Sequence, residues 1–141
     1  MITDNALMEM ARTASENSYS VYSHFQVGAA LLTIDNEMYT GCNIENAVYG
    51  LSICAERVAL FNAVSNGRKK GDFAKIAVAG KPWDGEWQFC SPCGACRQVL
   101  YEFAGDTFYV VYLGKNNNIK RIDIKELLPD GFTLQHFCKR F

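Results

Sequence analysis

Apolar positions recur along the chain first at helical and then at strand spacing. Leu7, Ala11 and Ala14 fall on one face of a helix spanning 4–18, with Thr3 or Asp4 available to cap its first turn. Residues 25–32 form a short, almost unbroken apolar run, the pattern of a buried strand. The polar pair Asp35-Asn36 then marks a hairpin turn into a second strand over 38–43. Residues 54–64 are apolar on most sides, which predicts a buried helix that Asn66-Gly67 brings to a stop. Two more buried strands are predicted over 76–80 and 108–113. Between them lie a loop, 81–91, and a helix over 92–103, with Ser91 as its N-cap and Pro92 at its first position. Residues 119–124 suit a fifth strand, and another short helix is expected near the C-terminus. Strands alternating with helices predict a layered α/β domain. There is no internal repeat, low-complexity stretch or Pro/Gly/Ser-rich linker. Residues 1–141 therefore read as a single domain, long enough to bury its own core.

Composition leaves that picture standing and narrows the function. Hydrophobic residues at 49% and charged residues at 21% suit an ordinary soluble globular protein. Basic residues number 14 and acidic ones 15, a formal net charge of −1. Proteins that hold a nucleic-acid backbone carry a basic surplus to neutralise phosphates, so a polynucleotide substrate is disfavoured. Arg68-Lys69-Lys70 is the one basic run, and it reads as a solvated turn. The start, Met1-Ile2-Thr3-Asp4-Asn5, lacks the basic and apolar regions of a signal peptide. No apolar run approaches the roughly 18 residues of a membrane span. A cytoplasmic protein is expected, with no membrane partner. Its six cysteines are then expected as thiols or metal ligands rather than disulfides.

Three of those cysteines form a spaced set. Cys54-Ala55-Glu56 is followed, 39 positions on, by Pro92-Cys93-Gly94-Ala95-Cys96. Cys93 and Cys96, three apart at a helix start, put both sulfurs on one face. Cys54 opens another helix. If the two helix N-termini converge, three thiolates can surround one Zn²⁺ and leave the fourth tetrahedral position for water, the catalytic arrangement. Free N–H groups and the positive dipole end favour thiolate over thiol there. Glu56 is the candidate general acid/base; the pattern resembles that of zinc deaminases, which implies a proton carried from an activated water to a pyrimidine ring nitrogen and then to the leaving amino group. Three thiolates and a dication sum to −1, which opposes activating water, and Arg57 is placed to offset that charge by hydrogen-bonding a thiolate. Two other readings stay open. A CxxC pair serves equally as a redox pair or half a zinc ribbon, and Cys90 could join Cys54, Cys93 and Cys96 in a closed structural site. On either reading Glu56 is only a favourable charge at a helix start. Pro92 and the position of Glu56 tilt the pattern towards catalysis.

The motifs taken in order resemble the small homotetrameric zinc-dependent cytidine deaminases over nearly the whole length. They are Tyr22-Ser23-His24-Phe25-Gln26-Val27-Gly28-Ala29-Ala30, Gly41-Cys42-Asn43-Ile44-Glu45-Asn46-Ala47, Cys54-Ala55-Glu56-Arg57, Ser91-Pro92-Cys93-Gly94-Ala95-Cys96-Arg97-Gln98 and Glu126-Leu127-Leu128-Pro129. The resemblance implies a three-layer α/β/α fold on a central mixed five-stranded sheet. It also implies one Zn²⁺ per chain and hydrolysis of cytidine and deoxycytidine to uridine and deoxyuridine. Asn43 and Glu45 are then expected to hydrogen-bond the ribose hydroxyls, with Phe25 and Ala55 at the base. Ala47, Tyr49 and Phe132 match positions where a neighbouring chain closes the pocket. Read without the resemblance, Phe25 is a core residue and Asn43 caps a strand end.

Cys42, Cys90 and Cys138 are not expected as ligands, and His24 and His136 are expected in packing or at the surface. Trp83 and Trp87 flank Asp84-Gly85, which reads as a turn with aromatic anchors in a loop longer than the family's usual one. Deamination of a related nucleoside such as blasticidin S is the alternative activity, although Asn43-Ile44-Glu45-Asn46 favours an ordinary ribose. A non-catalytic structural zinc module is the alternative of a different class.

Overall fold

The computed structural model describes residues 1–136; the side chain of His136, Cys138 and the rest of the tail lie outside what it describes. The chain runs α1 (Asp4–Ala14), β1 (Phe25–Thr33), β2 (Met38–Cys42), α2 (Ala55–Ser65), β3 (Phe73–Pro82), α3 (Gly94–Phe103), β4 (Tyr109–Leu113), β5 (Ile119–Asp123) and α4 (Ile124–Leu127). The strands form one five-stranded sheet in the order β2-β1-β3-β4-β5. β3 and β4 are parallel and joined through α3, while the other neighbouring pairs are antiparallel. This is the mixed five-stranded sheet expected.

Both faces of the central strands are buried, which is why they read as continuous apolar runs rather than alternating ones. Ala29, Leu31, Ile76, Val78, Val110 and Tyr112 pack on one face with Ala59, Leu60 and Ala63 of α2 and Leu100 of α3. Their neighbours Ala30, Leu32, Ala77, Ala79 and Val111 point the other way, against Leu7, Met8 and Ala11 of α1. Two glycines set how closely the helices lie. A Cβ on Gly28 would sit 1.9 Å from the Ala11 carbonyl oxygen, and one on Gly41 would sit 2.6 Å from that of Ala55. Only the missing side chains let α1 and α2 rest on the sheet backbone.

Several boundaries move for identifiable reasons. The first helix stops at Ala14 and tightens into a 3₁₀ turn, Ser15–Asn17; its cap is Thr3, whose hydroxyl accepts from Ala6 N–H at 3.1 Å. β3 is longer than its apolar run because Lys75, which interrupts it, is itself buried: its ammonium donates to Asp4 and to the Ile2 carbonyl, each at 2.7 Å. The stop at Asn66-Gly67 is a Schellman closure, with Arg68 N–H on the Ala63 carbonyl and Gly67 at φ +95°. Ile124 leaves β5 to start α4, capped by Asp123. The helix expected to begin at Pro92 begins at Gly94, and its N-cap is Cys93, not Ser91.

Candidate active site and metal centre

α2 and α3 bring their N-termini together on one side of the sheet, each beginning with a cysteine in extended backbone: Cys54 caps α2 and Cys93 caps α3. Cys93 Sγ accepts from the Cys96 N–H at 3.5 Å, as an N-cap side chain accepts from the third helical residue. That relation turns the two sulfurs of the CxxC pair to the same place. Cys54 Sγ lies 3.8 Å from Cys93 Sγ, and all three sulfurs fall within 4.8 Å of one another. A tetrahedral zinc with Zn–S bonds of about 2.3 Å sets its sulfurs about 3.8 Å apart, so the set fits zinc, and thiolates are donors that zinc favours. Cys90 does not belong to this set. Burial, followed by the charges of Glu56 and Cys54, pushes its thiol up to about 12, so it stays protonated in the wall of the cavity. A closed four-thiolate site is not assembled.

The electrostatics favour at least one thiolate even from the protein's own groups. Cys54 is lowered to about 5, chiefly by a hydrogen bond from Cys96; burial opposes this, and the Arg57 guanidinium, 3.4 Å away, supports it. Cys96 is raised by that same hydrogen bond, by burial and by Glu56. The guanidinium of Arg57 is held more firmly charged by its bond to Cys54. Arg57 thus lies within hydrogen-bond reach of Cys54 Sγ.

Glu56, in the first turn of α2, is only 4% exposed. Its carboxylate lies 3.7 Å from Cys96 Sγ and lines a cavity of about 240 Å³ together with Cys54 and Cys93. Burial raises it to about 7, outweighing the backbone hydrogen bond that would lower it. A larger groove of about 760 Å³ runs beside the β4–β5 hairpin, but it holds neither the thiols nor Glu56.

Of the other expected site residues, Asn43, Glu45 and Ala55 line the cavity and Phe25 does not. The Phe25 ring packs over Gly80, next to Cys90, at the edge of β1. Asn43 secures the start of β1: its Oδ1 accepts from Val27 N–H and Ser18 Oγ, and its Nδ2 donates to the Phe25 carbonyl at 2.9 Å. Glu45 Oε1 accepts from Tyr22 N–H at 3.0 Å and Ser23 N–H at 3.1 Å, and Oε2 accepts from Ser23 Oγ. Burial works to raise this carboxyl, but the Ser23 and Tyr22 hydrogen bonds prevail and hold it below the usual range. Ala47, Tyr49 and Phe132 are exposed. Tyr49 stands over a shallow recess shared with Glu45 and Ser52, beside the cavity.

Some functional neighbours carry no sequence signal of their own. Val27, Ser52 and Ile53 line the cavity because β1 and the segment before α2 pass there. Arg97 latches the loop before α3, donating to the Pro92 carbonyl at 2.8 Å and the Leu127 carbonyl at 2.9 Å. Its position immediately after the CxxC pair was the available clue. His24 stacks on Trp83, whose backbone N–H meets the His24 carbonyl beside the turn at Asp84-Gly85.

Among the described residues no helix is long and apolar enough to cross a membrane. The model of the cytidine and deoxycytidylate deaminase zinc-binding region matches residues 1–112. A cytidine deaminase of Halalkalibacterium halodurans is 48% identical over 134 residues, covering 92% of this chain and 93% of that protein. The crystal structure of a cytidine deaminase from Burkholderia pseudomallei superposes with a TM-score of 0.84 at 46% identity, covering 93% of this chain and all of the other. A blasticidin-S deaminase of Bacillus cereus is 32% identical over 132 residues, 89% of this chain and 91% of that protein. With its three converging thiols and buried glutamate, the chain belongs to the cytidine and deoxycytidylate deaminase zinc-binding family.

Proposed function

We propose that the chain hydrolyses cytidine and deoxycytidine to uridine and deoxyuridine, using one zinc ion held by Cys54, Cys93 and Cys96. The observation that carries this reading is that Cys54, Cys93 and the buried Glu56 carboxylate line one cavity, with Cys96 Sγ 3.7 Å from that carboxylate and Cys90 outside the sulfur set. Zinc, when bound, supplies a Lewis acid that lowers the pKa of water at its open position. Everything else falls to side chains. Glu56, buried and poised near neutrality, accepts a proton from the attacking water and passes it to the pyrimidine ring nitrogen. It then takes the proton of the added hydroxyl and delivers it to the amino group, which leaves as ammonia. Such a shuttle is worth about 10²–10⁴ in rate. Arg57 keeps Cys54 ionised. Ala55 borders the base, with Phe25 packed next to Cys90 of the cavity wall, while Asn43 and Glu45 receive the sugar. Glu45, held ionised, accepts from a sugar hydroxyl, and Asn43 has one amide N–H left after its bond to Phe25.

The same reading has residues 1–141 act as one domain, as a homotetramer in the cytoplasm. Val48, Tyr49 and Leu51 are each more than 60% exposed on one short segment at the cavity rim. A neighbouring copy would cover them, and Ala47, Tyr49 and Phe132 would close that neighbour's pocket. A contiguous apolar rim of this kind marks an interaction surface. Blasticidin S remains the second substrate to try, given the 32% identity to the Bacillus cereus enzyme.

The test is an ultraviolet assay of cytidine loss on wild type, Glu56→Gln and Cys90→Ala, with zinc quantified in each. Wild type and Cys90→Ala should turn over with one zinc per chain, and Glu56→Gln should keep zinc while losing at least about 10²-fold in kcat. Loss of zinc from Cys90→Ala, with Glu56→Gln unaffected, would instead establish a structural zinc module.

A further inference from the structure

We propose that Trp83, in the 81–91 loop, is a positioning residue for the sugar side of the pocket, acting through a one-way hydrogen-bond chain that ends on Asn43. This rests on the proposed function, in which Asn43 and Glu45 receive the sugar. Trp83 does not line the cavity. Its indole Nε1 donates to Ser20 Oγ at 2.8 Å; Ser20 is fully buried, its Oγ is 3.0 Å from Ser18 Oγ, and Ser18 Oγ meets Asn43 Oδ1.

The donors and acceptors leave this chain one direction. An indole N–H only donates and an amide oxygen only accepts. The Asn43 amide cannot be turned over, because Val27 N–H must meet Oδ1 and the Phe25 carbonyl must meet Nδ2. Ser18 therefore gives its single proton to Asn43, Ser20 gives its own to Ser18, and among the described residues the Trp83 N–H supplies Ser20. Each bond in such a chain polarises the next.

A second contact of Trp83 reaches Glu45. The indole ring stacks on His24 at 4.3 Å, and the Trp83 backbone N–H donates to the His24 carbonyl at 2.9 Å. His24 sits at φ +55°, a left-handed conformation that a non-glycine residue keeps only when its surroundings impose it. It closes a turn from Ser20, with His24 N–H on the Ser20 carbonyl at 2.8 Å. The middle of that turn, Tyr22 and Ser23, supplies all three donors that hold Glu45. Trp83 thus touches both ends of the turn that fixes one sugar-binding group, and it feeds the chain that fixes the other.

The test is steady-state kinetics of the zinc-loaded enzyme on deoxycytidine and on 2′,3′-dideoxycytidine, which lacks the sugar hydroxyls that Asn43 and Glu45 would hold. Trp83→Ala should raise KM for deoxycytidine about five- to tenfold, leave kcat within about twofold, and leave KM for the dideoxy substrate unchanged. Trp83→Phe keeps a ring over His24 but has no N–H, and should raise KM for deoxycytidine about two- to threefold. Equal effects of Trp83→Ala on both substrates, or no effect on either, would overturn the proposal. Glu45→Gln is run alongside. If it is selective for deoxycytidine while Trp83→Ala is not, only the inference about Trp83 fails. If Glu45→Gln weakens both substrates equally, the assignment of the sugar side is wrong and the role of Trp83 falls with it.

Discussion

Replacing Gly41 with alanine would ask how far the metal centre depends on the seating of α2. The new Cβ would lie 2.5 Å from the Ala59 nitrogen and 2.6 Å from the Ala55 carbonyl oxygen, where ordinary contact begins at 3.4 Å. Both obstructing atoms are backbone, on consecutive turns of α2, so no side-chain rotation relieves the clash. The helix must lift from β2 by up to about 1 Å, at the upper end of the 1–3 kcal/mol typical of overpacking. For a chain of this size that corresponds to a fall in Tm of about 10 °C. The lift also carries Cys54, the N-cap of α2, away from Cys93 and Cys96, whereas zinc–ligand distances tolerate only about 0.2 Å. Zinc affinity should therefore fall at least about tenfold. The assay pairs thermal unfolding of the zinc-loaded protein with a competition titration against a chromogenic chelator. Gly94→Ala is the control: it lies beside Cys93 but nothing stands within 4 Å of its Cβ, so Tm should hold or rise. A Gly41→Ala protein with wild-type Tm would refute the close seating of α2. A lowered Tm with unchanged zinc affinity would refute the coupling of that seating to the thiols.

Two further outcomes follow from charged contacts. Arg57→Gln removes the guanidinium that lies 3.4 Å from Cys54 Sγ, and should weaken zinc about 10–100-fold in the same chelator titration while Tm of the zinc-saturated protein changes little. Arg68 bridges Asp35 and Glu37 at the β1–β2 hairpin. Asp35 is held below 3.8 by Thr33 and then Arg68, and Glu37 below 4.5 by Arg68 and then Tyr39. A lowered acid stabilises the fold above its unfolded pKa, and that contribution is lost as pH falls through the folded value. The Tm difference between wild type and Arg68→Gln should accordingly be constant above about pH 5 and shrink as the pH is taken below about 4. A difference that persisted to pH 2.5 would show that Arg68 acts through packing instead.

The parts of the fold legible in the sequence were those fixed by local pattern. The apolar runs became β1, β3 and β4 because both sheet faces are covered, and Asn66-Gly67 ended α2 through a closure that only a glycine makes easily. Boundaries failed where a distant residue decided them. Lys75 is polar, and nothing near it in the sequence says that Asp4 will meet its ammonium in the sheet. Ser91 and Pro92 are good cap residues by composition, yet the chain there is held straight by Arg97 on the Pro92 carbonyl, and the helix starts two residues later. Phe25 was expected at the base; its ring packs over Gly80 next to Cys90, a contact with the neighbouring strand that its own segment does not announce. Asn43 and Glu45 were legible as polar groups, whereas the donors that orient them lie some twenty residues upstream.

The two helix starts are one local device used twice. In α3 the N-cap is a cysteine, and the third helical residue, Cys96, turns back on it and adds a second sulfur. In α2 the N-cap is again a cysteine, and the third helical residue, Arg57, turns back on it and adds a positive charge. The spacing of three that makes the CxxC pair conspicuous is therefore also the relation between Cys54 and Arg57, though the sequence displays Arg57 only as the neighbour of Glu56. That difference in one residue type sets the character of the site. A cysteine at position 57 would have completed a closed four-thiolate zinc site of net charge −2, with no position for water. With arginine there, the three thiolates, a dication and the guanidinium would sum to zero, and Cys54, Cys93 and Cys96 would be the sulfurs to hold the ion. Glu56, one residue earlier in the same turn, lines the cavity beside those sulfurs, with its proton affinity raised chiefly by burial. On the proposed function, the third position of α2 is what separates a metal that only holds the fold from one that activates water.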